Sequence, residues 1–369
     1  MDRQEYKKIA EVVIYLASCA VNSQVPDKEK FSGVSLEALH KFAEFHKISA
    51  LICMALESAG VKSDLFLQSK GISFSRTARL EIDALEVFNR LEQAEIWYMP
   101  LKGYIMKNYY PAFGMREMSD IDVLFDSSKV REVRTIMQDI GFETKNFNSG
   151  PHDVYQKKPV SNFELHRNLF GFGNEKFCNY YSDIKRKLIL KNGSKYYYEF
   201  SKEDFYIYIT AHEFKHYSSG GTGLRSLLDV YIFMKKFADE LDYNYIASEL
   251  EKLGMTEFEA NNKSLALKLF GGGKFSDINI NQEIYEYMIF SGAKGTLDNK
   301  VHNKLKTRSK LKYVFERIFL SDIELRERFP FFYKHKILLP FLVIYRGYRA
   351  FTVKRKSIIR EIKFFMKAK

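Results

Sequence analysis

Asp120 and Asp122 stand one residue apart in the run Met118-Ser119-Asp120-Ile121-Asp122-Val123-Leu124-Phe125. In a β-strand, residues i and i+2 share a face, so the two carboxylates point the same way while Ile121 and Val123 turn toward packing. Like charges held that close repel each other unless a cation lies between them. Hard oxygen ligands on a rigid strand suit Mg²⁺, which in turn suits phosphate chemistry. As a bare pattern, D-x-D equally describes two solvated acids at a strand edge, so the neighbours decide. Gly103 follows an apolar run from Ile96 to Leu101 and can bring backbone N–H groups close to a phosphate. Lys102 can neutralise a phosphate, and Arg116 can clamp one through its fork. Glu164, in the alternating segment Phe163-Glu164-Leu165-His166, offers a third carboxylate on an adjacent strand. Three carboxylates suffice for two Mg²⁺ ions, one at the nucleophile and one at a phosphate chain.

The elements that must position these groups change character along the chain. Residues 5–60 are helical by spacing: Ile9, Val12, Val13, Leu16 and Ala20 recur on one face, as do Leu36, Leu39, Phe42, Ala43 and His46, with Ser35 as a start signal. A helix over Thr77–Ala94 would bury Leu80, Ala84, Leu85, Phe88 and Leu91. The period then shortens. Strands are expected over 96–101, 120–125 and 163–166, and a helix from Lys129 to Ile140 capped by Ser127-Ser128. Hairpins are expected around Asn148-Ser149-Gly150 and Lys191-Asn192-Gly193-Ser194. Ser201 opens a helix through His216, Leu224–Phe237 forms another, and Gly271-Gly272-Gly273 separates two more helical runs. The expected organisation is a helical segment at 1–94, an α/β core at 95–200, a helical unit closing a cleft at 201–300, and a basic, mainly helical tail at 301–369.

Other polar residues bear on the site. His212 and His216, at i and i+4 of one helix, share a face and form either half of a metal site with Asp229 or a polar wall. The wall, made with Arg225 and Asp229, is the preferred reading. His166, two residues after Glu164, lies on the same face, either supporting the ligands from behind or simply solvated. Trp97 and Tyr196-Tyr197-Tyr198 are read as packing rather than as a base-stacking platform.

The 369 residues, 46% hydrophobic and 28% charged, are ordinary for a globular protein. Cys19, Cys53 and Cys178 are too dispersed for a disulfide framework or a thiolate metal motif, which fits a reducing compartment. With no signal-peptide pattern and no apolar run near 20 residues, a cytoplasmic location is expected. The net charge of +12 is lodged in the tail, where residues 301–369 hold 19 Lys and Arg against 5 Asp and Glu. There Phe341, Leu342, Ile344, Tyr345, Tyr348 and Phe351 interleave with Arg346, Arg349, Lys354, Arg355 and Lys356. Such a helix completes a core, lies peripherally on an anionic membrane, or binds nucleic acid phosphates, the last being the least favoured.

Taken together, Leu101-Lys102-Gly103, Tyr110-Pro111, Arg116, Ser119 to Leu124 and Glu164-Leu165-His166 resemble an uncharacterised bacterial nucleotidyltransferase family within the DNA polymerase β-like superfamily. The similarity continues through His212, Lys215-His216, Leu224-Arg225 and Asp229 and covers most of residues 35–240. The resemblance implies an α+β fold, with a small mixed β-sheet flanked by helical segments. It implies Mg²⁺ dependence, with two ions, and transfer of a nucleoside monophosphate from an NTP such as ATP. Asp120, Asp122 and Glu164 would bind metal and catalyse; Lys102, Gly103 and Arg116 would hold the nucleotide. One departure is local: Gly103 is followed by Tyr104 rather than a small residue, so Lys102 and Arg116 are expected to replace the usual small-residue turn. The acceptor is open. A small molecule or sugar phosphate is favoured over a protein or tRNA modified in toxin-like fashion, and over a non-catalytic nucleotide-binding module.

Overall fold

The computed structural model describes residues 2–367 except 149, 172, 273–276, 294, 308, 353 and 354. Ser149, Gly273 and Lys354, named above, therefore lie outside the described residues. The chain opens with four helices, α1 (Arg3–Val21), α2 (Leu36–His46), α3 (Ser49–Ser58) and α4 (Asp64–Gln93). Side chains begin the first two: Asp2 accepts from the backbone of Gln4 and Glu5, and Ser35 from that of Ala38. The fourth helix starts thirteen residues earlier than its hydrophobic spacing suggests. Its buried side carries Val87 where Leu85 was expected; Leu85 is 59% exposed.

The α/β part comprises β1 (Tyr98–Pro100), α5 (Lys102–Met106), β2 (Ile121–Phe125), α6 (Val130–Asp139), β3 (Glu143–Asn146), β4 (His152–Lys157), β5 (Ser161–His166), α7 (Glu175–Tyr180), β6 (Leu188–Leu190) and β7 (Tyr198–Phe200). Among the described residues, a five-stranded sheet runs β1-β2-β5-β4-β3, with β2 and β5 parallel and the other pairs antiparallel. It is the small mixed sheet that was expected. Asp126, not Ser127-Ser128, caps the turn into α6: both serines lie inside the turn Ser127–Lys129, and the Asp126 carboxylate before it accepts from Ser128 N. Trp97, Tyr197 and Tyr198 pack as read, Trp97 edge-on to Tyr198 and Tyr98 against Tyr197 and Phe88.

Strand alternation makes this sheet a partition. Ile121, Val123, Phe125, Tyr155, Phe163 and Leu165 enter one core against Leu80, Val87 and Leu91 of α4 and Val133 and Met137 of α6. The opposite face begins with Asp122 and continues into Leu124, which joins the larger helical core. That core is built with α8 (Lys202–Ser219), α9 (Leu224–Phe237), α10 (Tyr243–Leu253), α11 (Thr256–Phe270) and α12 (Gln282–Ser291). Beyond it follow α13 (Leu297–Thr307), α14 (Lys310–Ile318), α15 (Asp322–Arg328), α16 (Pro330–Lys334), α17 (Leu339–Thr352) and α18 (Arg355–Lys367). Ser201 caps α8 through Asp204 N, and α8 runs three residues past His216 before Gly220.

His46 ties the amino-terminal helices to this larger core. Fully buried, it accepts from Leu224 N through Nδ1 (3.1 Å) and donates through Nε2 to the Ile289 carbonyl (3.1 Å). Gly223 makes room for it, since a Cβ there would lie 2.6 Å from His46 Nδ1. Burial lowers the His46 pKa to about 3. The folded chain thus refuses a proton that the unfolded chain accepts near pH 6.5, so stability present above pH 6.5 is lost as pH falls toward 3. His46→Leu strands a buried N–H and a buried C=O and is expected to cost about 2–4 kcal/mol at pH 7. Because the variant lacks the linked loss of about 1.4 kcal/mol per pH unit, that gap should shrink by roughly 2 kcal/mol at pH 5. Denaturant midpoints of both proteins at the two pH values measure it.

Candidate active site

Register brings the carboxylates together. Asp122 sits directly opposite Glu164 in the parallel β2–β5 pair, and Leu124 opposite His166. On the other side of β5, His152 of β4 is opposite His166. One face of three neighbouring strands therefore presents Asp122, Glu164, His166 and His152, with Asp120 just before β2 begins. Lys102 reaches the same point from the start of α5, its Nζ 3.1 Å from Asp122 Oδ2. Its backbone has φ of +36°, a conformation costing a side-chain-bearing residue about 1–3 kcal/mol. The preceding residue is pinned by the Leu101 N–H to the Asp122 carbonyl, 2.9 Å.

The charges are unevenly compensated. Burial opposes ionisation of Asp122, but the Lys102 ammonium and a 2.8 Å hydrogen bond from His166 Nε2 outweigh it and hold this carboxyl well below its usual range. Burial lowers the His166 pKa, so the ring is a neutral donor in that bond. Glu164 behaves oppositely: burial first, then Asp122 and Asp120, push it up to about 7. His152 Nε2 lies 3.4 Å from Glu164 Oε2, and burial lowers that imidazole to about 4. This donor set fits a hard divalent cation. Carboxylate oxygens dominate it, and the proton retained by Glu164 marks negative charge in excess of what Lys102 compensates.

Arg116, expected as a phosphate clamp, is paired with a carboxylate. Its Nε and Nη2 are taken by Asp229 of α9 at 2.8 and 2.7 Å, and Tyr110 OH donates to the same carboxylate at 2.8 Å. A guanidinium this buried is held by the best-matched carboxylate it meets, and Asp229 supplies a planar, two-point fit. Nη1, which has no part in the Asp229 pair, comes nearest to α5. A Cβ on Gly103 would lie 2.5 Å from it, which explains the glycine. Arg225 reaches the Glu117 carbonyl at 3.4 Å.

These residues line a cleft of about 420 Å³ between the sheet face and α8 and α9, which includes Lys102, Gly103, Arg116, Asp120, Asp122 and Glu164. His166, His212, His216, Arg225 and Asp229 line it too. His212 and His216 face each other, Nε2 to Nε2, at 3.1 Å. Asp229, the carboxylate suggested for a metal site with them, is committed to Arg116 and Tyr110. Sequence reasoning missed His152 and Glu213 and gave Lys215, which also lines the cleft, no role. Burial pushes Glu213 up to about 7, and Asn262 donates to it at 2.8 Å. His152 was legible in principle, because pairing the hairpin antiparallel from Lys157–Ser161 places it opposite His166.

A search of curated proteins finds no significant relative. The solution structure of the antibiotic-resistance factor ANT(2'')-Ia aligns with 55% of this chain and 95% of its own at 10% identity. Its TM-score is 0.26, too low to carry weight for fold or substrate. A family model described as an uncharacterised nucleotidyltransferase matches residues 32–271, which include every strand of the five-stranded sheet and both cleft helices. The chain belongs to that family of nucleotidyltransferases.

Proposed function

We propose that the protein transfers a nucleoside monophosphate from a Mg²⁺-bound NTP to a hydroxyl or phosphate of a small molecule or sugar phosphate. The observation that carries this is the in-register pair Asp122–Glu164 with Lys102 on Asp122, at the floor of a cleft. Asp120, Asp122 and Glu164 are the residues that would hold the cation. When bound there, Mg²⁺ supplies neutralisation of the phosphate charge and makes a ligated hydroxyl more acidic. Lys102 Nζ and the Gly103 backbone face the phosphates, and Arg116 stiffens this wall through Asp229. Glu164, beside the position of the attacking hydroxyl, accepts its proton. The acceptor oxygen bonds to the α-phosphorus as the bond to the departing pyrophosphate breaks. A cleft of about 420 Å³ has the size of a small-molecule site, which favours a small acceptor over a macromolecule.

Incubation with each α-labelled NTP, Mg²⁺ and fractionated cell extract tests this reading. Label should appear in the small-molecule fraction. Label in tRNA or protein overturns the acceptor class. No label, with Mg²⁺–NTP still bound by calorimetry, overturns transfer itself and leaves a nucleotide-binding module; no label and no binding overturns both.

The tail supports peripheral contact with an anionic membrane as a second element of the proposal. Helix α17 buries Leu342 yet exposes Phe341, Ile344, Tyr345 and Tyr348 on one face, at 66%, 69%, 49% and 67%. Among the described residues no helix is long and apolar enough to cross a membrane. An exposed aromatic face in so basic a segment matches an interfacial helix. The protein should co-sediment with phosphatidylglycerol vesicles but not with phosphatidylcholine, and the binding should weaken with salt and with Ile344→Glu. Stronger retention on RNA than on vesicles would redirect the tail to nucleic acid.

A further inference from the structure

The cation position on the β4 side of the cleft has more than oxygen around it. Three donor atoms of His152, Glu164 and His166 lie within 4.8 Å of one another, and Asp122 Oδ1 adjoins them, 2.8 Å from His166 Nε2. A four-coordinate ion with bonds of about 2.0–2.1 Å needs ligand atoms roughly 3.3–3.4 Å apart. The observed separations are 3.4 Å from His152 Nε2 to Glu164 Oε2, 3.9 Å from His166 Nε2 to Glu164 Oε2, and 2.8 Å from His166 Nε2 to Asp122 Oδ1. The first two lie at or just above that value; the third is the hydrogen bond that His166 Nε2 gives up, its proton passing to Nδ1, when it turns to the ion. Ring packing sets the two imidazoles, centroid to centroid at 4.8 Å, and in each the Nδ1 is buried without a protein partner. The Nε2 atoms are therefore the ones turned to the carboxylates.

Ligand type decides between ions. Mg²⁺ prefers six oxygens and keeps its waters, whereas imidazole nitrogen beside carboxylate suits the later first-row divalent ions. We infer that His152, Glu164 and His166, with a water in the fourth place, form a site for an ion of the zinc class, so that one of the two cation positions differs in kind from the Mg²⁺ that accompanies the nucleotide. Asp122 adjoins this position from outside, its Oδ1 beside the His166 imidazole and its Oδ2 beside Lys102. Asp120 belongs to the second position only. This inference rests on reading the carboxylate face as a cation site, but it concerns which ion is held, not whether transfer occurs.

Co²⁺ added to chelator-stripped, full-length protein is the probe, because four-coordinate Co²⁺ has an intense visible band that six-coordinate Co²⁺ lacks. One Co²⁺ per chain with that band, displaced by one Zn²⁺ and not by millimolar Mg²⁺, is the expected result. His152→Asn should weaken Co²⁺ binding by at least about 100-fold while circular dichroism shows an unchanged fold. Asp120→Asn should keep the band and lose transfer. A pale six-coordinate spectrum, equal Co²⁺ affinity in His152→Asn, or no Co²⁺ binding by a protein that transfers with Mg²⁺ would each overturn the inference. Should His152→Asn misfold, His166→Asn reads the same band from the neighbouring strand. A normal band in a protein that transfers nothing with any metal would instead overturn the function proposed above and leave the metal site standing.

Discussion

Asp122→Asn is expected to lower nucleotidyl transfer by at least about 10³-fold while leaving the fold intact. The amide keeps an oxygen for the His166 hydrogen bond but loses the charge that meets Lys102 and the cation. Lys102 is only partly buried and can turn its ammonium to water, so little stability is at stake. Glu164→Gln should lose transfer by a different route, and pH separates the two. In the wild type, Glu164 carries a proton up to about pH 7 because burial, Asp122 and Asp120 raise its pKa. A divalent cation must displace that proton. Cation affinity should therefore climb about tenfold per pH unit below 7 and level off above it. Calorimetry in buffers of different ionisation enthalpy should count about one proton released at pH 6 and about a tenth of one at pH 8. Glu164→Gln should show no such release. Full proton release by that variant would remove Glu164 from the cation site.

How much of this was legible depended on distance along the chain. Asp120 and Asp122 were readable because a strand's period of two is a local fact. Glu164 was readable as a residue type in an alternating run, although its position opposite Asp122 is set by the register of a parallel pair 42 residues apart. His152 escaped because its place depends on β4 turning back along β5, with a register shift between Thr144 and Asn146 on the neighbouring strand. Gly103 was read as an approach for phosphate; that a side chain there would also collide with Arg116 was not legible, because the two meet only through the fold. The α4 helix shows the opposite error. Its first thirteen residues bury little, so hydrophobic spacing was silent although Phe66 anchors that end. Side chains that meet across a hundred residues leave no periodic trace, and the Arg116–Asp229 pair is the clearest case.

Removing one partner of that pair should be among the most damaging single changes in the cleft. Arg116 and Asp229 have side chains only 9% and 16% exposed and meet through two parallel hydrogen bonds. Asp229→Ala leaves a buried guanidinium uncompensated and deprives Tyr110 OH of its acceptor, so a loss of about 3–5 kcal/mol is expected. Arg116→Lys should cost nearly as much, because an ammonium cannot span both carboxylate oxygens. Tyr110→Phe removes one hydrogen bond and should cost about 1 kcal/mol. The double variant Arg116→Met/Asp229→Leu discriminates between stability and function. Replacing a buried pair by apolar residues of similar volume is often close to neutral, so most of the stability should return in denaturant titrations. Transfer should not return with it, because the Arg116 Nη1 edge over Gly103 would still be missing from the nucleotide wall. If the double variant regained both stability and transfer, the pair would be a strut between α9 and the sheet domain with no part in holding the nucleotide. Recovery of stability alone would place Arg116 in the wall of the site as well as in its frame.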